Sequence, residues 1–366
     1  MPTLTAATPL PTTDEEIWRY SRIGELDLDR FTPTAADTDV RGGAGIEIDH
    51  AATGDALDVI GRLTGDAAPD VFAALNLEHA SPTLITVPAG RVVEQPVVVT
   101  HMVRGSDEAV FPRLVIDAGA DSEITVVEVF TSEPDSTSLV VPVVQIRAGQ
   151  AARVRYLAVN ELGERVWSIG HQQALGERDS QLLVATVALG GDYARVRTDV
   201  RLSGAGASAK QVALYFAGGT QMHDFRTIQD HDAPNTHSDL LFKGAVQDHS
   251  RSVYTGLIKI REHARGTAAF QTNRNLTLSE GAWAESVPNL EIETNDVKCS
   301  HASTVGPIDE EQRFYLESRG VPPSVAERLV VLGFFDEVLS QLPAGDLATD
   351  LRARVAAKLS IGDDPR

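Results

Sequence analysis

The sequence predicts a mainly β chain: a parallel β-helix between helical regions at the two ends. From Pro82 to Gly306, short runs of Val, Ile, Leu and Thr have strand length and lack helical periodicity. A loose repeat recurs among them, as in "IDAGADSEITVVEV", "IRAGQAARVRYLAV" and "LSGAGASAKQVALY". Recurring strand–turn units are typical of a solenoid, a propeller or a sandwich. The turns lack the Asn-Gly and Asp-Gly pairs of tight hairpins, which favours parallel coils.

Residues 1–80 form the predicted N-terminal helical region. The segment "TTDEEIWRYSRI" suits a helix capped by Thr13 or Asp14, with acidic side chains in its first turn. The segment "DVFAALNLEHA" suits a second helix, with Phe72, Leu75 and His79 along one face. The β-helix core is then expected over residues 81–306.

Residues 307–366 form the predicted C-terminal helical domain. Its first helix, "DEEQRFYLESRG", begins with acidic residues and ends at Gly320. The next, "VPPSVAERLVVLGFFDEVLSQLP", carries Leu332 and Phe335 at helical spacing, and "DLATDLRARVAAKLS" completes the set. Such a tail either caps the open end of a solenoid or binds a partner.

Composition excludes several classes of function. The net charge of −20 argues against binding to nucleic acid or to an anionic membrane surface. No apolar run approaches the roughly 20 residues that span a bilayer. The first 18 residues lack a basic stretch followed by an apolar one, so we expect no secretory signal. A single cysteine fits a reducing compartment, and a cytoplasmic location is expected.

Motifs for nucleotide binding and for nucleophilic catalysis are missing. The segment "GAGASAK" (204–210) is shorter than a phosphate-binding loop and lacks its Gly-Lys-Ser/Thr ending. No serine lies in a nucleophile elbow, and no Ser/His/Asp order stands out. We therefore expect this chain to bind no nucleotide.

Histidines concentrate between residues 223 and 263, often beside aspartates. They are His223, His231, His237, His249 and His263. These residue types could bind a metal, but their spacing matches no helix-borne zinc motif. Turn chemistry at the corners of a solenoid is the favoured interpretation, and the roles of the individual histidines stay open.

The only cysteine, Cys299, lies two residues before His301. On a strand, residues two apart share a face with backbone positions about 6.6 Å apart, so both side chains can reach one metal ion. Two ligands leave such a site incomplete, and further ligands must come from other strands or from another chain. The alternative is a buried structural cysteine, because free cysteine is among the most buried residue types.

Several long segments, taken together, resemble the SufB/SufD family of iron–sulfur assembly proteins. They are "EEIWRYSRIGELDLDRF", "HDAPNTHSDLLFKGAVQDHSRSVYTGLIKI", "AAFQTNRNLTLSEGA" and "PNLEIETNDVKCSHASTVGPIDEEQRFYLESRG". The sequence Lys-Cys-Ser-His around Cys299 is similar to the SufD branch of the family. Asn273 stands where SufB-like chains carry the cysteine thought to receive sulfur, so this chain is not expected to accept sulfur.

The resemblance implies a right-handed parallel β-helix and a non-catalytic scaffold subunit. It further implies a SufB-like partner joined through the β-helices and a SufC-like ABC ATPase bound to the C-terminal helices, with a homodimer as a possible state in isolation. Cys299 and His301 match family positions at the heterodimer interface. There they would ligate iron or a nascent iron–sulfur cluster, transient and shared with the partner. An exposed Cys299 thiol of low pKa is expected, uncovered by a rearrangement that ATP hydrolysis drives.

Two alternatives follow from the solenoid alone. One is a β-helix enzyme that acts on polysaccharides, with carboxylates lining a groove, although enzymes of that kind are secreted and should carry a signal sequence. The other is a purely structural homodimer in which the C-terminal tail only caps the β-helix.

Overall fold

The computed structural model describes residues 4, 9–50, 54, 61, 68–343 and 345–361. The α-helices of this part are α1 (Val71–His79), α2 (Glu310–Ser318), α3 (Pro323–Leu339) and α4 (Gly345–Ile361). The first strands are β1 (Thr32–Thr34), β2 (Asp37–Arg41), β3 (Glu47–His50), β4 (Thr83–Val87), β5 (Val97–Val103), β6 (Ser106–Val110), β7 (Arg113–Ala118), β8 (Glu123–Ser132), β9 (Thr137–Val140) and β10 (Val143–Ala148). The remaining strands are β11 (Arg153–Glu161), β12 (Trp167–Gly176), β13 (Gln181–Ala188), β14 (Tyr193–Leu202), β15 (Ser208–Ala217), β16 (Met222–His231), β17 (His237–Val246), β18 (Arg251–Ile260), β19 (Thr267–Thr277), β20 (Trp283–Ile292) and β21 (Val297–Gly306).

The strands form a β-solenoid of about 8 coils. A 12-stranded sheet runs from β3 and β4 to β20 through the even-numbered strands from β10 onward, and a 9-stranded sheet runs from β2 to β21. We call them the first and the second sheet. From β4 onward, consecutive coils pair in parallel in both sheets. The predicted fold class, a mainly β chain with a parallel β-helix, is confirmed.

Acidic and amide residues make the corners between coils. Asp121, Asp179, Asn235 and Asp248 all have left-handed backbone conformations, with φ between 56° and 58°. Asp and Asn tolerate this region better than most residues with a side chain. The Asp248 carboxylate also accepts a hydrogen bond of 2.7 Å from the backbone N–H of Gly219. The aspartate-rich segments therefore serve the turn chemistry that their composition indicates.

The N-terminal region differs from the prediction of a continuous helix over "TTDEEIWRYSRI". This segment forms short 3-10 turns at Glu16–Trp18 and Ile23–Glu25, and its first turn has no side-chain cap. Trp18 and Ile23 are both buried. Residues five apart on an α-helix point about 140° away from each other, so one α-helix could not bury both against the same sheet. The region also contributes the three short strands β1 to β3.

Helix α1 forms as predicted, and it begins at a side-chain cap. The Asp70 carboxylate accepts hydrogen bonds from the backbone N–H groups of Phe72 and Ala73, at 3.0 and 2.9 Å. Phe72 and Leu75 are buried against the outer face of the first sheet, whereas His79 is exposed. The His79 ring centre nevertheless lies 5.0 Å from that of Phe111 in the same core, so all three predicted residues lie on the packing face.

A buried arginine fastens the N-terminal turns to the solenoid. The Arg195 guanidinium on β14 pairs with Asp224 on β16 and donates a 2.7 Å hydrogen bond to the backbone oxygen of Ile17. The same group lies 4.0 Å from the centre of the Trp18 ring. These contacts give the desolvated guanidinium a carboxylate, a carbonyl and an aromatic face.

The C-terminal helices pack on the outer face of the second sheet. Val331, Phe335 and Val338 of α3 join a core with residues of β11 to β17. Helix α2 begins at Asp309, which accepts hydrogen bonds from two backbone N–H groups, and ends before Gly320 at φ +86°. Among the helices described, none is long and apolar enough to cross a membrane.

Candidate functional site

Cys299 and His301 lie on the last coil of the solenoid, in β21. This strand pairs with β19, and the registered pairs are Ala269–Cys299, Gln271–His301 and Asn273–Ser303. The three β19 members are buried in the lumen. Because side chains alternate along a strand and stay in register across a parallel ladder, Cys299 and His301 face the lumen as well. We call these two residues the half-site.

The half-site lies at the open end of the lumen. His301 is exposed, and Cys299 is half-buried against Ile258 and Ile260. The Ser303 hydroxyl donates a 2.7 Å hydrogen bond to Ser286 of β20, which links the two strands of the last coil. In the described part of the chain, no further coil follows to cover these side chains.

Burial raises the pKa of the Cys299 thiol. The expectation of an exposed thiol of low pKa is therefore wrong for this structure. The apolar surroundings favour the neutral thiol, and among the described residues no basic side chain offsets them. A metal that binds the thiolate must displace this proton, so loading is expected to strengthen as the pH rises.

A thiolate and an imidazole suit iron and iron–sulfur clusters by ligand type. Cys299 and His301 supply two donors, and the described residues contain no group of three or more His, Cys, Asp or Glu side chains placed to hold a metal ion. Metal ligation by Cys299 and His301 therefore stays a prediction.

Both polar atoms of the Asn273 side chain form hydrogen bonds inside the lumen. Its side-chain amide donates hydrogen bonds to the Tyr215 hydroxyl at 2.9 Å and to the backbone oxygen of Phe242 at 3.2 Å. Its oxygen accepts a 2.8 Å bond from Asn275. An asparagine held in this way is a structural residue.

The histidines between residues 223 and 263 do not converge. His223 and His231 are buried in the lumen, whereas His237, His249 and His263 are exposed. Both ring nitrogens of His231 are hydrogen-bonded, to Thr236 at 2.8 Å and to Ser238 at 2.9 Å. The His263 ring lies 2.9 Å from Asp232, on the outer surface. These contacts support turn and packing roles.

Gln271 is a site residue that the sequence analysis missed. It lies in the lumen one rung from His301, and its side chain is 2% exposed. The signal that could have found it is the alternation of side chains along the strand. Gln271, Asn273 and Asn275 occupy every second position of "AAFQTNRNL", and pairing of β19 with β21 places them on the same face as the half-site. Alternation alone would place such polar residues on the solvent face.

The last coil also ends both sheets. In the described part of the chain, β20 is the terminal strand of the first sheet and β21 that of the second. Each strand has 10 residues, and most of their side chains are exposed or only partly buried. Open edges of this length are templates for pairing with another chain.

Comparisons with known proteins agree with this geometry. The family model for the SUF system FeS cluster assembly SufBD core domain matches residues 101–334. An iron–sulfur cluster assembly SufBD family protein of Mycobacterium tuberculosis is 33% identical over 360 residues, which cover 95% of this chain and 89% of that protein. The iron–sulfur cluster assembly protein SufD of Escherichia coli is 27% identical, covering 97% and 90%. SufD of Bacillus subtilis is 30% identical, covering 75% and 63%.

The matched residues include the solenoid from β5 onward, the half-site and most of α3. The family resemblance stated from the sequence is confirmed, and the polysaccharide-active alternative gains no support. This chain belongs to the SufBD family of iron–sulfur cluster assembly proteins.

Proposed function

We propose that this chain is a non-catalytic scaffold subunit that supplies Cys299 and His301 to iron or to a nascent iron–sulfur cluster shared with a partner. The observation that carries the proposal is the half-site: two ligand side chains on one lumen face of the last coil. The cluster or ion is cargo, held transiently, and the remaining ligands come from the partner. The proposed location is the cytoplasm.

The proposed partner is a SufB-like subunit docked at the last coil. Two features favour docking there: the unpaired edges of β20 and β21, and exposed apolar side chains on the same coil, namely Trp283, Ile292 and Val305. A second strand-bearing chain would pair the edges, cover these side chains and complete the coordination sphere in one step.

The proposed site for a SufC-like ABC ATPase is the outer face of α2 and the start of α3. Phe314 is 70% exposed, and Tyr315, Val325 and Leu329 are also largely exposed. Apolar side chains exposed together on adjacent helices mark interaction surfaces. The same helices pack on the second sheet. This placement favours a role in partner binding over a role in capping alone.

The decisive experiment replaces Cys299 or His301 by alanine in the full chain, expressed with its SufB-like and SufC-like partners. We expect the complex to assemble as in wild type, because neither residue is needed to fold the solenoid. Maturation of iron–sulfur enzymes in a strain that depends on this chain should be lost or strongly reduced. Anaerobic iron and sulfide analysis of the purified complex gives the matching biochemical readout.

A matched control is Ser300→Ala, which changes the intervening residue of β21 on the opposite face of the strand. It should mature clusters as the wild type does. Wild-type maturation in either the Cys299 or the His301 variant would refute the proposed ligand role. Loss of complex assembly in these variants would instead indicate a structural role for the half-site.

A further inference from the structure

Gln271 is a buried amide without a hydrogen-bond partner. Its side chain is 2% exposed, and in the described part of the chain neither Nε2 nor Oε1 makes a hydrogen bond. Burial of an unpaired amide is unfavourable, and native proteins contain few such groups. The position of this residue therefore needs an explanation other than stability.

Packing does not require an amide there. Sheet pairing places Gln211, Leu240, Gln271 and His301 on consecutive rungs of one lumen column, in β15, β17, β19 and β21. Leu240 shows that the column accepts an apolar side chain of similar size. Gln211 differs from Gln271 because its Nε2 donates a 3.0 Å hydrogen bond to Gln229.

The opposite wall of the lumen leaves room for the Gln271 amide. Gly256 on β18 faces it, and a Cβ at this position would lie 2.5 Å from Gln271 Nε2. The same Cβ would lie 2.7 Å from the Tyr254 hydroxyl, so the glycine leaves room for both side chains in the lumen. In the next coil, Gly256 is in register with Pro288 of β20, so the amide lies directly beneath the coil that carries the half-site.

We propose that Gln271 is a positioning residue for His301, and this inference rests on the proposed function. When His301 binds the cargo metal through one ring nitrogen, the Gln271 amide oxygen accepts the hydrogen bond of the other. Metal-bound histidine almost always donates its second N–H in this way, which fixes the tautomer and the ring orientation. Within the described residues, the His301 ring has no other hydrogen-bond partner.

The distance between rungs allows this bond. Neighbouring strands lie about 4.8 Å apart, and stacked side-chain amides form ladders along this direction. The His301 side chain is exposed at the open end of the lumen, so its ring can reorient toward the amide when it binds metal. Gln271 Oε1 remains unpaired until the half-site is loaded, so the proposed bond accounts for one of the two unsatisfied atoms of the amide.

The test is Co²⁺ titration of the full chain in complex with its SufB-like partner, monitored by the thiolate-to-cobalt charge-transfer band. Gln271→Leu should weaken Co²⁺ binding about 10- to 100-fold, the usual effect of removing such a partner. The charge-transfer band should persist at saturating Co²⁺, because Cys299 remains. The melting temperature of the metal-free chain should rise, because an unpaired buried amide is removed.

Two further variants make the result specific. Gln211→Leu is the same change in the same column, two rungs further from His301, and should leave Co²⁺ affinity as in wild type. Gln271→Glu keeps an acceptor oxygen at the same place and should bind Co²⁺ within a few-fold of wild type. An unchanged affinity in Gln271→Leu would overturn the inference, as would an equal loss in Gln211→Leu or a lower melting temperature that accompanies the loss.

Failure of the proposed function gives a different result. If Cys299→Ala and His301→Ala both bind Co²⁺ as the wild type does, then the half-site is not a ligand site and the inference fails with it. If these two variants lose binding while Gln271→Leu does not, then the ligand role stands and only the positioning role of Gln271 is refuted.

Discussion

The polar residues in the lumen differ in whether their side chains are hydrogen-bonded. Asn273 and His231 have all the hydrogen bonds that their side chains need, so they stabilise one arrangement of the coils. Gln271 is buried as deeply, yet it has none. This contrast supports the proposal that Gln271 acts as a positioning residue for His301 rather than as a purely structural residue.

The buried histidines predict loss of stability in mild acid. Burial lowers the pKa of His223 to about 3 and that of His231 to about 4. Lys358 near His223 lowers the first further, whereas Asp230 opposes the shift at His231. The unfolded chain, with ordinary histidine pKa values near 6.5, binds more protons at pH 5. Stability should therefore fall between pH 7 and 5, by about 2 kcal/mol for each histidine.

Urea unfolding at pH 7 and pH 5 checks this prediction. His231→Gln should remove about half of the difference in unfolding free energy between the two pH values, because it removes one of the two titrating groups. His249→Gln, the same change at an exposed corner, should leave the difference as in wild type. An identical pH dependence in wild type and His231→Gln would contradict the assignment of this loss to buried histidines.

The sequence predicted residues of the site as far as local chemistry allows. Cys299 and His301 stood out because metal ligands are recognised by residue type and spacing. Gln271 did not, because its role depends on a registered neighbour 30 positions away in sequence, at His301. The prediction of a low pKa for the Cys299 thiol was wrong for the same reason. The apolar cluster that contains Ile258 and Ile260, against which Cys299 packs, includes residues of the opposite sheet.

At the scale of elements, the strands of the solenoid were predicted well, and the segments that flank it were predicted less well. The Val/Ile/Thr runs form strands because the coils before the last one bury one face in the lumen. Helices α1 and α2 begin at the side-chain caps Asp70 and Asp309, whereas α3 begins at Pro323 without a side-chain cap. The segment "TTDEEIWRYSRI" has helical composition, but burial of Trp18 and Ile23 on the sheet surface overrides it.

Helix α3 depends on a buried lysine of β17. The Lys243 Nζ donates a 2.9 Å hydrogen bond to the backbone oxygen of Phe334, lies 2.5 Å from the Glu337 carboxylate and 4.6 Å from the centre of the Phe334 ring. The hydrogen bond from Lys243 lowers the pKa of Glu337, so the pair is attractive. Lys243→Ala should make opening of α3 easier by about 2 kcal/mol, because charge-assisted hydrogen bonds are lost.

Hydrogen exchange of the slowest α3 amides measures this opening. Arg352→Ala is the matched control, since Arg352 on α4 pairs with Asp336 of α3 while both side chains are about half exposed. Exposed pairs contribute under about 1 kcal/mol, so exchange in this variant should stay near wild type. Equal protection of α3 in the two variants would show that Lys243 does not hold the helix.

On the scale of the whole molecule, the solenoid is closed on its sides and open at its last coil. The N-terminal turns cover the outer face of the first sheet, and the C-terminal helices cover that of the second. The last coil keeps two unpaired edges, exposed apolar residues and the half-site. An unfinished coil of this kind suits the proposed ligand set, which is shared between two chains.

The exposed apolar residues of the last coil are positions where substitutions should weaken binding of the partner without unfolding the chain. Ile292 on β20 and Val305 on β21 are 42% and 45% exposed, and Val92, before β5 in the first coil, is 53% exposed. A lysine at residue 292 or 305 would place an unpaired charge in the proposed interface. Ile292→Lys and Val305→Lys should each weaken partner binding at least about 10-fold, which corresponds to about 1.4 kcal/mol.

Val92→Lys provides the control, because it adds the same charge at an equally exposed apolar position at the other end of the solenoid. It should bind the SufB-like partner as the wild type does. All three variants should change the unfolding free energy of the isolated chain by less than about 0.5 kcal/mol, since each site faces solvent.

Binding is measured by titration of the purified partner, and light scattering of each variant alone reports any homodimer. Equal binding by Ile292→Lys, Val305→Lys and Val92→Lys would exclude the last coil as the interface. Loss of a homodimer with unchanged partner binding would assign the coil to self-association instead.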